Sequence, residues 1–150
     1  QDRDSYRFLS QTGAVEPEAI PSMILKEKAL FVEGSVLTWA LEDHEGNFCG
    51  YIALQQPGSF SPNLRYATAL DQRRKGYMRE ALQVVERFVF DRLMVVHVTA
   101  HIHHRNHISA KLLEEIGFEE GEPVVTPRGA RRDAVARRWP LRSDRRAGTQ

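Results

Sequence analysis

The stretch Leu70-Asp71-Gln72-Arg73-Arg74-Lys75-Gly76-Tyr77-Met78-Arg79-Glu80-Ala81-Leu82 decides how this chain folds. Its first half is a polar, basic turn and its second half begins an amphipathic helix. Met78, Ala81, Leu82, Val85, Phe88 and Val89 recur at three- and four-residue spacing, the buried stripe of such a helix. Leu64 to Leu70, before the turn, reads as a strand. Met94 to about Ile102, beyond the helix, is β-branched and reads as another. The turn therefore joins a strand to a helix N-terminus, where amide N–H groups have no helical partner and the helix dipole adds positive charge. Gly76 permits a positive φ or a close backbone approach. Arg73, Arg74 and Lys75 reinforce the field, so the turn suits an anion, plausibly a pyrophosphate. It is not a P-loop, because no Gly-Lys-Ser/Thr follows, and the glycine spacing of a dinucleotide fingerprint is absent.

The rest of the chain arranges itself about this strand–helix–strand unit. Val36 to Leu41 and Phe48 to Leu54 flank the turn signal Asp43-His44-Glu45-Gly46-Asn47 and predict an antiparallel hairpin. Pro57, Gly58 and Pro62 bound a loop after it. Asp4 to Gln11 reads as a short helix ended by Gly13, and Glu18 to about Phe31 as a second, with Pro21 near its first turn. Downstream, Asn106 opens a helix with Ile108, Leu112 and Ile116 on one face, and Gly117 caps its C-terminus. Val124-Val125 and Ala134-Val135-Ala136 about Arg128-Gly129 predict a closing hairpin. The fold class is mixed α/β, a sandwich around one sheet.

Composition sets the outer limits. The 150 residues are 41% hydrophobic and 27% charged, the profile of one globular domain spanning 1–150. No apolar run approaches the roughly 20 residues of a membrane span, and Gln1-Asp2-Arg3-Asp4 lacks the layout of a signal peptide. The single cysteine, Cys49, excludes an internal disulfide, and zinc-finger spacing is missing. A cytoplasmic protein is expected. The net charge of +1 hides an asymmetry: residues 123–150 carry eight arginines against Asp133 and Asp144. A nucleic-acid partner is disfavoured even so, because Trp139 has no neighbouring aromatics for base stacking. Residues 142–150 read as a frayed basic tail.

A pair of motifs carries a family resemblance. Arg73-x-x-Gly76-x-Met78 is followed thirty residues on by Asn106-x-x-Ser109-x-x-Leu112-x-x-x-x-Gly117-Phe118. Together they resemble the acetyl-coenzyme A loop and following helix of the GNAT superfamily of N-acetyltransferases. Tyr77-Met78-Arg79-Glu80-Ala81 and Asp133 are similar to its ribosomal-protein-type (RimJ/RimL-like) branch. The similarity spans about residues 36 to 140. It implies a mostly antiparallel central sheet with one splayed parallel strand pair and helices on both faces. It implies acetyl-coenzyme A as cosubstrate: Ala67, Thr68, Ala69 and Leu70 along its pantetheine, Arg73, Arg74, Lys75, Gly76, Tyr77 and Met78 at its pyrophosphate, and Asn106 and Ser109 beside its arm. Met78 replaces the last small residue of the loop motif, which would crowd the phosphates.

The resemblance also frames the chemistry. Acetyl transfer needs an uncharged amine, a donor for the thioester oxygen and a proton for the leaving thiolate. Many GNAT enzymes place a tyrosine where this chain has Leu113, so Ser109 is the hydroxyl left for that proton. The alternative for Ser109 is a local helix-end bond. Ala69 or Leu70 N–H would serve the oxygen. Asn63 stands where the branch often has a glutamate base, and asparagine cannot take a proton. His97, His101 and His103 share one strand face. They lack the partners of a metal site, and none is expected, although His101 or His103 could act as a base. Cys49 reads as core. Trp39, Phe48, Tyr51 and Tyr66 are mainly core too, with one or two free to line the acceptor cleft. The implied activity is acetyl transfer from acetyl-coenzyme A to a primary amine, a protein N-terminus or a small molecule, by direct attack in a ternary complex. A non-catalytic acyl-coenzyme A-binding regulatory module is the alternative. The chain would act as a monomer or homodimer, without a membrane.

Overall fold

The computed structural model describes residues 17–103, 105–121, 124–125 and 131–138. The predicted helix at Asp4 to Gln11, the hairpin tip at Arg128-Gly129 and the tail at 142–150 lie outside the described residues. A 3-10 turn, Pro17–Ala19, leads into α1 (Ile20–Val32), with Pro21 in its first turn, where a missing N–H costs nothing. Strands β1 (Val36–Glu42) and β2 (Phe48–Gln55) form the expected hairpin. Its turn is tied by Asp43, whose Oδ1 accepts the N–H groups of Glu45 and Asn47, each at 2.9 Å.

β3 (Asn63–Thr68) pairs antiparallel with β2, and α2 (Tyr77–Arg92) crosses over to β4 (His97–His103). α3 (His107–Glu115) follows, then β5 (Glu119–Glu120), β6 (Val124–Val125) and β7 (Arg131–Arg138). The sheet order is β1-β2-β3-β4-β7-β5, with β6 also on β7, and β3 and β4 are its parallel pair. β6 against β7 is the predicted closing hairpin. β5 was not expected: two glutamates in a row carry no strand signal, and pairing with β7 alone sets them there.

Alternation along the strands assigns the two faces of the sheet. Leu37, Trp39, Ile52, Leu54, Leu64, Val98, Ala100 and Ile102 point one way, into a core completed by Met78, Leu82, Val85 and Val89 of α2 and by Leu113, Ile116 and Phe118. On the opposite face, Thr38 donates to Glu27 of α1 at 3.1 Å. Helices therefore lie on both faces, α2 and α3 on one and α1 on the other. α1 buries none of its residues.

Several boundaries shift for physical reasons. β3 ends at Thr68, and Leu70–Gln72 winds into a 3-10 turn. Met94 takes a left-handed φ of 56° to leave α2, which delays β4 to His97. On α3 the buried stripe runs through Leu113 and Ile116, whereas Ile108 is 80% exposed. Phe90, outside the predicted stripe of α2, is buried, whereas Phe88, placed within it, is 41% exposed and meets Trp39 edge-on at 5.9 Å. Gly117 closes α3 as expected: its N–H donates to Glu114 O and that of Phe118 to Leu113 O, both at 2.9 Å.

Candidate active-site cleft

β3 and β4 touch over only two residue pairs, Asn63 with Thr99 and Leu64 with Ala100, and then part. Thr99 N–H donates to Pro62 O at 3.0 Å at the point of the V. The gap is a cleft of about 910 Å³ that passes through the sheet. Leu64, Tyr66, Ala100 and Ile102 line it from the helix-covered face. Asn63, Arg65, Ala67, His101 and His103 line it from the other.

The wall contributed by β3 has unpaired backbone. On the β2 side, Ala69 N–H donates to Cys49 O at 2.9 Å, and the Ala67 carbonyl abuts Gly50. Peptide groups alternate sides along a strand, so those of Leu64, Tyr66 and Thr68 face β4. Beyond Leu64 no β4 residue pairs with them. An extended ligand arm laid in the V would find strand-like partners at Tyr66 and Thr68. Ala69, named above as an oxyanion donor, is already engaged with Cys49. Ala67 likewise presents its backbone to β2.

One end of the cleft is the basic turn. Arg74 (φ 62°) and Gly76 (φ 85°) are both left-handed, and Gly76 is the N-cap of α2. That reversal aims the first amides of a 16-residue helix at the cleft. Nothing lies within 4 Å of where a Gly76 side chain would start, so the space before the helix end is open. Gln72, 8% exposed, anchors the turn: its Oε1 accepts from Lys75 Nζ at 2.9 Å and its Nε2 donates to Asp71 at 3.2 Å. Arg73, Arg74, Gly76, Tyr77 and Met78 all line the cleft. Met78 is 6% exposed and packs with the core.

Across the V stands the N-terminus of α3. Asn106 Oδ1 accepts the N–H of Ser109 at 3.2 Å, a side-chain N-cap, and Asn106 Nδ2 donates to Ser109 Oγ at 3.0 Å. Because Oγ accepts that bond, its own proton points elsewhere. Tyr66, read from the sequence mainly as core, reaches across from β3 and donates its hydroxyl to Ser109 O at 3.4 Å. Burial pushes the Tyr66 phenol up to about 12, with the bond to Ser109 pulling the other way. Its signal in the sequence was an aromatic on a strand directly before the basic turn. Leu113 is fully buried, which explains why no phenol occupies that position.

At the point of the V, Asn63 Nδ2 donates to Gln55 Oε1 at 3.0 Å, and its Oδ1 is buried with no partner among the described residues. His97 is drawn away from the cleft by Ser61 Oγ, 2.9 Å from its Nδ1. His101 and His103 remain at the cleft wall. Among the described residues, no group of three or more His, Cys, Asp or Glu could hold a metal ion. Cys49 is 1% exposed, and burial pushes its thiol above the usual range, as befits a core residue. Among the described residues, no helix is long and apolar enough to cross a membrane.

No curated protein matches the chain significantly. A spermidine N-acetyltransferase from Vibrio cholerae, solved with CoA and spermine, has a similar structure at TM-score 0.77 and 16% identity. That likeness covers 91% of this chain and 83% of the other. A dodecameric form of spermidine N-acetyltransferase from the same organism matches at TM-score 0.70 and 18% identity, over 81% of this chain and 75% of the other. At these identities the likeness shows the fold. The family model of the acetyltransferase (GNAT) domain matches residues 1–119, most of the 150-residue sequence, and the chain belongs to that family.

Proposed function

We propose that this N-acetyltransferase, which moves acetyl from acetyl-coenzyme A to an amine, works by direct attack inside the cleft that pierces its sheet. The observation that carries this reading is the pairing of an open helix N-terminus at Gly76 with the unpaired strand backbone of Tyr66 and Thr68. The first holds a diphosphate, with Arg73 and Arg74 adding charge while Lys75 is turned to Gln72, and the second holds an extended amide-bearing arm. These groups fit acetyl-coenzyme A, which supplies the activated thioester.

The residues then divide the work. An outward N–H of β3, at Tyr66 or Thr68, polarises the thioester oxygen. The amine nitrogen bonds to the carbonyl carbon while the carbon–sulfur bond breaks. The Ser109 hydroxyl, directed by Asn106, or the Tyr66 phenol gives the departing sulfur a proton. Asn63 Oδ1, a buried acceptor at the point of the V, takes a hydrogen bond from the attacking amine. Asparagine cannot take a proton, so the amine enters neutral unless His101 or His103 deprotonates it; the N–H proton it sheds on forming the amide passes, directly or through water, to the hydroxyl that protonated the sulfur. The spermine named with one similar structure favours a small amine over a protein N-terminus. The branch resemblance in Tyr77-Met78-Arg79-Glu80-Ala81 keeps the latter as the second reading. Thiol release from acetyl-coenzyme A across a panel of amines tests the proposal. Tight binding of acetyl-coenzyme A with no release on any amine would leave a binding module instead.

A further inference from the structure

We infer that the acceptor amine carries a negatively charged group close to its reactive nitrogen, a carboxylate above all. This rests on the acetyltransferase reading and narrows it. The phosphate turn and α2 lie on one face of the sheet, so the acceptor approaches through the slot from the opposite face. Strand alternation puts Asn63, Arg65 and Ala67 of β3 on that face, and Arg65 and His101, each one residue past the last parallel pair, both line the opening. Arg65 is exposed and no described carboxylate pairs with it. Being on the far side of the sheet, it is not spent on the diphosphate.

Among the described residues, Glu115 is the single carboxylate lining the cleft, and Arg79 holds it at 3.1 Å on the helix side. On the acceptor face Glu27 accepts from Thr38 on β1, two strands from β3, and Glu119 of β5, in register through Ala136 with Thr99, lies two strands beyond β4. A second ammonium group on the acceptor would thus face a guanidinium where no described carboxylate lines that side of the opening. A carboxylate would meet a planar donor fork, with imidazoles beside it. Like-charge opposition rejects a partner as firmly as pairing attracts one.

The test compares kcat/KM at saturating acetyl-coenzyme A for three four-carbon amines: 4-aminobutanoate, 1-aminobutane and 1,4-diaminobutane. Further anionic amines of other lengths extend the first arm, and a short peptide with acidic second and third residues, set against its lysine counterpart, separates a small acceptor from a chain terminus. The best anionic amine should exceed the matched diamine at least tenfold. R65E should reverse that order while acetyl-coenzyme A affinity, measured by calorimetry, stays unchanged. A diamine that equals or beats every anionic amine, or an R65E enzyme with the original ranking, overturns the inference and leaves the acetyltransferase reading standing. No turnover on any anionic amine also overturns it. The wider reading falls with it only if the neutral and cationic amines are inert as well.

Discussion

Asn106 holds Ser109 twice, through the backbone N–H and through the hydroxyl, so one amide side chain both caps α3 and leaves the Ser109 hydroxyl to donate elsewhere. The two duties separate by mutation. Asn106→Asp keeps the cap but replaces the Nδ2 donor with an acceptor, which turns the Ser109 hydroxyl back on itself. We expect kcat to fall about tenfold or more with the melting temperature nearly unchanged, which is about 1.4 kcal/mol on the barrier. Asn106→Ala should in addition cost about 1 kcal/mol of stability. Steady-state kinetics beside thermal denaturation checks both.

Tyr66 should ionise late. With its phenol pushed up to about 12 by burial, against 10 for an ordinary tyrosine, it stays a donor throughout the neutral range. The folded state holds this proton more tightly than the unfolded one. Its contribution to stability is therefore complete below pH 10 and is lost as pH rises toward about 12. Absorbance titration near 295 nm should show a late step that vanishes in Tyr66→Phe. The same variant should turn over more slowly, with acetyl-coenzyme A binding preserved.

Gly76→Ala and Gly76→Glu grade the phosphate turn. Alanine fits the open space but strains a φ of 85°, costing roughly 1 kcal/mol and a modest loss of cofactor affinity. Glutamate puts a carboxylate where the diphosphate would sit and should abolish binding, read by calorimetry. Equal affinity in the glutamate variant would contradict the assignment.

Asn63→Glu adds a base at the point of the V. The wild-type rate, limited by neutral amine, should rise about tenfold per pH unit up to the pKa of the acceptor itself. The variant should reach its plateau at lower pH. A profile of kcat/KM from pH 6 to 10 decides, and an unshifted limb would place the amine away from Asn63.

Much of this molecule could be read from its residues. The basic turn, the Asn106 and Gly117 caps and all of the α2 stripe but Phe88 are local signals that the fold keeps. The splay of β3 from β4 came through the resemblance rather than the pattern, because strand parting depends on which backbone groups find partners in space. The same limit hid the engagement of Ala69 with Cys49, since which edge of a strand an amide faces follows from register. Tyr66 looked like core because a buried phenol and a cleft phenol have the same spacing. Ile108 was misassigned by one turn: α3 is short, and a three-residue apolar stripe underdetermines its face.

The V between β3 and β4, closed by two residue pairs, leaves the sheet unfinished in the middle rather than at an edge. A guest molecule seated there becomes, for as long as it stays, the missing rung of the ladder. Slower amide exchange at Tyr66 and Thr68 on loading would register that repair. An acyl carrier held there would raise the stability of the folded enzyme as its concentration rises, so durability would follow the supply of activated acetyl groups.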